Sequence, residues 1–402
     1  MSDLASLELT PVERLLLACC RAAPDPAAMR QALHAAGLDW AAFWELARRQ
    51  EVQPLVARAL ARSGLLGDLP APASSDVEAA RIETTARNLA ARAELEAIAA
   101  ALGARGVPVM PLKGVALALR IFGGLDARRC GDIDILVREE DWEVARRALQ
   151  ERGYRPLDTT RPRIREHPFH DVPLIRSAGG RGFVVELHHQ LTDRRFARID
   201  HAALWRRALA TGSAGLVEMP AEELLVFLAL HLPKHDAGML RLIADIDHLI
   251  AGGRVSLDWD RVLELAGQWR ARTPLYFALA ASTALLETPV PEQVRAALRP
   301  RAWKRRAITA LAGPLAMLRP PAPARQRADR FRLAYCLMLE PASLAVRAYR
   351  HYVLAPTAGE AGGFMARRGG ELRGAARTLL ALAHANGDAA TQPHRNSHSL
   401  HN

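Results

Sequence analysis

The chain has 402 residues, half of them apolar, with 54 basic and 43 acidic side chains giving a net charge of +11. That length exceeds a single compact core, so two or three domains are expected. No apolar run approaches the roughly 18 residues of a membrane span, and 224–232, LLVFLALHL, is about half that length and reads as a core helix. The N-terminus lacks a basic segment before an apolar run and is not expected to act as a signal peptide. The four cysteines, Cys19, Cys20, Cys130 and Cys336, form no C-x-x-C pair. They read as thiols of a reduced, cytoplasmic compartment. The basic excess fits an acidic partner such as RNA or a nucleotide, and equally fits Arg-rich solvated helix faces.

Taken in order, the first hundred residues predict helices. Thr10-Pro11-Val12-Glu13 has the pattern of a capping box with proline at the first helical position. Further helices are expected over 26–36, 40–61 and 76–102, with Pro70, Pro72, Ser74 and Ser75 interrupting the last two. The pattern then changes. Residues 107–112, VPVMPL, read as a strand, and Lys113-Gly114 as a turn into a helix ended by Gly123 and Gly124. GDIDILV predicts a short buried strand. Residues 139–153 predict a helix with acids in its first turn, as the helix dipole prefers. YRPL, HDVPLIRS and RGFVVELHH predict strands, the last two joined at Gly179-Gly180. From 196 the chain returns to helix, and a polar tail from 384 carries His384, His394, His398 and His401. The expected fold class is α+β, mostly helical. A small mixed β-sheet spans 105–195, between helical regions at 1–104 and 196–383 and ahead of a tail at 384–402.

Three features carry chemistry. Asp132 and Asp134 sit two apart on a strand and so project from one face. Carboxylates held that close raise each other's pKa unless a cation lies between them, and a hard divalent ion accepts their oxygens. Glu186 lies mid-strand among Val184, Val185 and Leu187, where an unpaired carboxylate is costly. Lys113 and Gly114 stand at a strand-to-helix turn of the kind that receives phosphate. His188 is expected to face away from this cluster as a core or supporting residue. Asp245 and Asp247 repeat the D-I-D pattern inside a helix, where residues two apart diverge by about 200°, so they are not a metal pair.

The run LKGVALALRIFGGLDARRCGDIDILV resembles the bacterial uncharacterised nucleotidyltransferase family of the DNA polymerase β superfamily. The likeness continues in the helical lead-in LDWAAFWELARRQEVQPLVARAL, in VVELHHQL, in HLPKH with LRLIADIDHLI, and in DWDRVLELA. It implies a small mixed sheet flanked by helices. It makes Asp132, Asp134 and Glu186 the catalytic, metal-holding carboxylates for Mg²⁺ or Mn²⁺. Lys113 and Gly114 stand where the superfamily has a Gly-Ser or Gly-Gly turn, a departure that shifts phosphate contact onto Lys113 and Arg128. Arg128 matches a family arginine and is read either as a phosphate ligand or as a salt-bridge partner of a carboxylate. His189 stands where the family often has an aromatic. Asp245 is expected to pair with Arg241 or to close over the site. Lys234 and Arg241, on a helix pair over 222–250, and a basic loop with Arg161, Arg163 and Arg165 are expected to wall the nucleotide. The implied activity is transfer of an NMP from an NTP to a hydroxyl on a small molecule, a protein or a tRNA end, with release of pyrophosphate. The alternative is a catalytically inactive module of the same fold that binds RNA or a protein partner.

Overall fold

Thr10 caps the first helix, α1 (Pro11–Cys20), and the reciprocal bond from Glu13 to the Thr10 backbone N–H completes the capping box. The structure, a computed structural model, describes residues 8–340 except 158–170, 179–180, 193, 195–196, 214, 235–238 and 320–323. The basic loop at 161–165, the strand-joining glycines 179–180 and the tail from 384 therefore lie outside the described residues.

Helices α2 (Pro26–Leu33), α3 (Trp40–Arg49), α4 (Gln53–Arg62) and α5 (Ala71–Gly103) follow α1. The single helix expected over 40–61 is two. Pro54 lacks an N–H and would clash with the preceding turn, and Glu51 takes φ 57° at the break. In contrast, α5 begins earlier than expected, because Pro72 sits in its first turn, where its missing N–H costs nothing, and Ser74 and Ser75 continue the helix.

Chain order then gives β1 (Met110–Pro111), α6 (Val115–Arg120), β2 (Ile133–Leu136), α7 (Trp142–Glu151), β3 (Arg155–Pro156), β4 (Asp171–Ala178) and β5 (Arg181–His188). These strands form one mixed sheet in the order β1-β2-β5-β4-β3. Only the β2–β5 pairing is parallel. After α8 (His201–Arg207), a two-stranded ribbon of β6 (Leu209–Ala210) and β7 (Val217–Glu218) touches the sheet through the Val109–Leu216 bridge. The rest is helical: α9 (Ala221–His231), α10 (Met239–Ala251), α11 (Trp259–Gln268), α12 (Arg272–Leu286), α13 (Glu292–Leu298), α14 (Ala302–Ala312), α15 (Pro314–Leu318) and α16 (Ala324–Met338). The result is the expected α+β, mostly helical architecture with a small mixed sheet.

The alternation of β2 and β5 sorts their side chains between two cores. Ile133, Ile135, Val185 and Leu187 join one cluster with Leu95, Ile98 and Leu102 of α5 and Ala145, Ala148 and Leu149 of α7. Leu136, on the opposite face, joins the large helical core with Met110, Leu112, Leu225 and Ile243. Glu94 ties α5 to the sheet by accepting from the Tyr154 hydroxyl at 2.9 Å and by pairing with Arg152 and Arg176. Thus Asp134, which shares a face with Leu136, points towards the helical layer and not into the sheet's own core.

Among the described residues, no helix is long and apolar enough to cross a membrane. All four cysteines are buried and unpaired.

Candidate active site

Parallel pairing sets Asp134 directly beside Glu186, and Leu136 beside His188. Residues two apart on a strand share a face, so Asp134, Glu186 and His188 converge. Donor atoms of these three lie within 4.8 Å of one another. The His188 Nε2 stands 3.5 Å from Asp134 Oδ1 and 3.5 Å from Glu186 Oε2. The sequence-based expectation that His188 faces away is therefore corrected: positions 186 and 188 are in phase on β5. Its neighbour His189, just beyond β5, packs edge-on against Trp142 at 4.8 Å.

Asp132 immediately precedes β2 and borders the cluster. Burial raises its pKa, and the charges of Asp134 and Glu186 raise it further, with Lys113 offsetting only part. It also lines a cavity of about 380 Å³ between α5 and the start of the two parallel strands, with Glu83, Arg87, Cys130, Phe183 and Val184 on its walls.

Lys113 ends the β1 side of the site. Its Nζ lies 2.9 Å from Asp134 Oδ1 and 3.3 Å from His231 Nε2, at the end of α9. Asp134 is fully buried, which alone would raise its pKa. The Lys113 charge and the His188 hydrogen bond outweigh burial and hold the carboxyl well below its usual range. Gly114 takes φ 64° and ψ −130°, a region closed to side chains, and a Cβ there would meet the Asp132 carbonyl oxygen at 3.1 Å. The turn carrying Lys113 thus passes directly over the backbone of Asp132.

The remaining sequence-predicted residues hold the frame. Arg128 is buried and forks onto Asp245 of α10, with Nε to Oδ1 at 2.7 Å and Nη2 to Oδ2 at 2.9 Å. Of the two readings open for Arg128, the salt bridge is the one formed, and it takes Asp245 away from the expected partner Arg241. Arg241 instead donates to Glu51 at 2.7 Å; burial pushes the nearby Cys130 thiol up to about 11, and the Arg241 charge offsets only a small part. Lys234 closes a short 3-10 turn, Leu232–Lys234, and its side chain lies outside the described residues. Asp247 faces elsewhere, accepting from the Ala22 N–H and the Thr288 hydroxyl, as expected for a residue outside any metal pair.

Two residues not singled out from sequence complete the frame. Asn88 of α5 is fully buried and donates to the carbonyls of Leu125 and Arg128 at 2.6 and 2.7 Å. Arg58 of α4 donates to Asp126 at 2.7 Å and to the Phe122 carbonyl at 2.8 Å. The loop that delivers Asp132 is therefore clamped by α4, α5 and α10. A lone buried Asn in a long helix is the kind of signal that would have marked Asn88.

The donor set suits a divalent cation. Two carboxylates and an imidazole crowd one face of the sheet, next to a third carboxylate whose pKa is raised by burial and by its neighbours. Ligand separations of 3.5 Å fit a common ion with bonds of about 2.1 Å, for which neighbouring ligands stand about 3 to 3.5 Å apart.

A family model described as an uncharacterised nucleotidyltransferase matches residues 36–287, more than half of the 402-residue chain. No curated protein and no solved structure matches it. The matched span takes in Lys113, Asp132, Asp134, Glu186 and His188, together with the helices that clamp them, and the chain belongs to the uncharacterised nucleotidyltransferase family.

Proposed function

We propose that the chain is a metal-dependent nucleotidyltransferase, moving an NMP from an NTP to a hydroxyl acceptor with release of pyrophosphate. The observation that carries this is the lateral pairing of Asp134 with Glu186, with Asp132 two residues before Asp134 and the Lys113-Gly114 turn overhead. The catalytic unit is residues 105–195, and the helical regions on either side supply the remaining walls. Asp132, Asp134 and Glu186 would hold Mg²⁺ or Mn²⁺. When bound there, such ions supply Lewis-acid stabilisation of the attacking and leaving oxygens in an in-line displacement at phosphorus.

The chain's own groups divide the remaining work. Lys113 brings positive charge to the phosphates, and Gly114 lets the backbone approach them closely. Glu186, 29% exposed in its side chain against 1% for Asp134, is the carboxylate that reaches the acceptor side. Arg128 and Arg241 act chiefly by fixing the loop and α10 through Asp245 and Glu51. The acceptor belongs to one of the three hydroxyl classes used in related enzymes: small molecule, protein or tRNA end.

One observation favours the alternative of an inactive module that binds RNA or a protein partner. Lys113 already neutralises Asp134 at 2.9 Å, as a cation substitute would. Titrating the full chain calorimetrically with ATP, CTP, GTP and UTP, with and without Mg²⁺ or Mn²⁺, separates the two. Metal-dependent binding of an NTP supports the enzyme. Heat from none of the four at millimolar concentration, together with retained RNA binding, supports the module.

A further inference from the structure

We propose that His188 is an inner ligand of the metal, so that the site holds a borderline divalent ion, with Mn²⁺ as the probe, in preference to Mg²⁺. This rests on the metal-dependent reading above and deepens it. The juxtaposition is specific. His188 Nε2 is equidistant, at 3.5 Å, from one oxygen of Asp134 and one of Glu186. The three donor atoms form the one group in the described residues that brings three such side chains within 4.8 Å.

The orientation follows from the strand. Positions 186 and 188 share a face of β5, and Val137 N–H donates to the His188 carbonyl at 3.0 Å, fixing the backbone at that point. The imidazole is buried, with 7% of its side chain exposed, between the sheet and the helical layer. It therefore reaches the carboxylates in a setting from which most water is displaced.

The chemistry then discriminates between ions. Mg²⁺ favours oxygen ligands in near-ideal octahedral geometry and keeps its waters. An imidazole nitrogen suits first-row transition ions better than it suits Mg²⁺, with Mn²⁺ at the weak end of that series. A site of three carboxylates would treat Mn²⁺ and Mg²⁺ more evenly. Replacing one oxygen position by the His188 nitrogen tilts it towards Mn²⁺. Lys113 leaves that preference unchanged: its ammonium sits on Asp134 Oδ1, and any incoming ion must displace it or share that oxygen at the same cost.

The test uses the full-length chain with Mn²⁺ alone, read by electron paramagnetic resonance. Pulsed spectra of bound Mn²⁺ should show a directly coordinated ¹⁴N, and Mg²⁺ should displace the ion only at about tenfold excess or more. His188→Gln, checked for folding by circular dichroism, should lose the nitrogen coupling and narrow the Mn²⁺ preference several-fold, while still binding a divalent ion. Bound Mn²⁺ without nitrogen coupling in the unmodified chain overturns the assignment and leaves the metal-dependent reading standing. No Mn²⁺ bound by the unmodified chain overturns both. The unmodified-chain spectrum decides the matter even if His188→Gln does not fold.

Discussion

Arg128 and Asp245, 117 positions apart in sequence, close a two-pronged ion pair with side chains 3% and 0% exposed. The pair joins the loop that delivers Asp132 to α10 of the helical layer. Buried pairs of this kind are costly to break from one side, at about 3–5 kcal/mol, because the surviving charge is stranded. Asp245→Ala should therefore destabilise the chain by about that much in urea unfolding. The double replacement Arg128→Met with Asp245→Leu should lose far less, since neither charge remains. Equal losses in both variants would show that the pair acts as packing and not as charge.

Gly114→Ala tests the turn. Its backbone is at φ 64°, ψ −130°, and the added Cβ faces the Asp132 carbonyl at 3.1 Å. Strain of this kind costs about 1–3 kcal/mol. The variant should lose stability by that amount and lose turnover disproportionately, because relief of the clash moves Asp132. Full activity in a destabilised Gly114→Ala would separate the turn from the chemistry.

Lys113→Met tests the cation balance of Asp134. Without the ammonium, a buried carboxylate is left beside the His188 imidazole, 3.5 Å away. In the presence of a chelator the variant should be less stable than the unmodified chain by about 3 kcal/mol or more. Saturating Mn²⁺ or Mg²⁺ should recover most of the loss, since a ligand that binds only the folded state stabilises it. Thermal unfolding with and without metal measures this, and a loss that metal does not repair would argue against an ion at Asp134.

Asp247 gives a pH signature outside the site. Burial pushes its pKa from 3.8 up to about 6, with bonds from Thr288 and the Ala22 N–H offsetting part of the effect. The folded-state pKa is raised, so its contribution to stability is fully present below 3.8 and is lost as pH rises through about 6. Asp247→Asn has no such group. The stability difference, variant minus unmodified chain, should therefore climb between those pH values and level off above them. A flat difference across that window would contradict the raised pKa.

Much of this was legible locally. The capping box at Thr10 and the strand alternation that puts Asp134 on the face away from Ile133 and Ile135 are both short-range properties. The helix break at Glu51 was also signalled, by Pro54, yet the apolar periodicity over 40–61 masked it. His188 was misplaced although its phase with Glu186 is written in the strand itself. Long-range pairing was the part that stayed hidden. Nothing near Arg128 identifies Asp245, and nothing near Asn88 identifies the carbonyls of Leu125 and Arg128, because those partners meet only after α5 and α10 pack on the loop.

The central claim is that these carboxylates carry nucleotidyl transfer. The most direct measurement incubates the full-length chain with α-labelled NTPs, a cell lysate and Mn²⁺ or Mg²⁺, and follows label uptake and pyrophosphate release together. Label should enter an acceptor fraction with matching pyrophosphate, vanish with chelator, and vanish in Glu186→Gln while that variant still binds the nucleotide. Transfer that continues undiminished in Glu186→Gln, or nucleotide binding with no pyrophosphate released from any of the four NTPs, would contradict it.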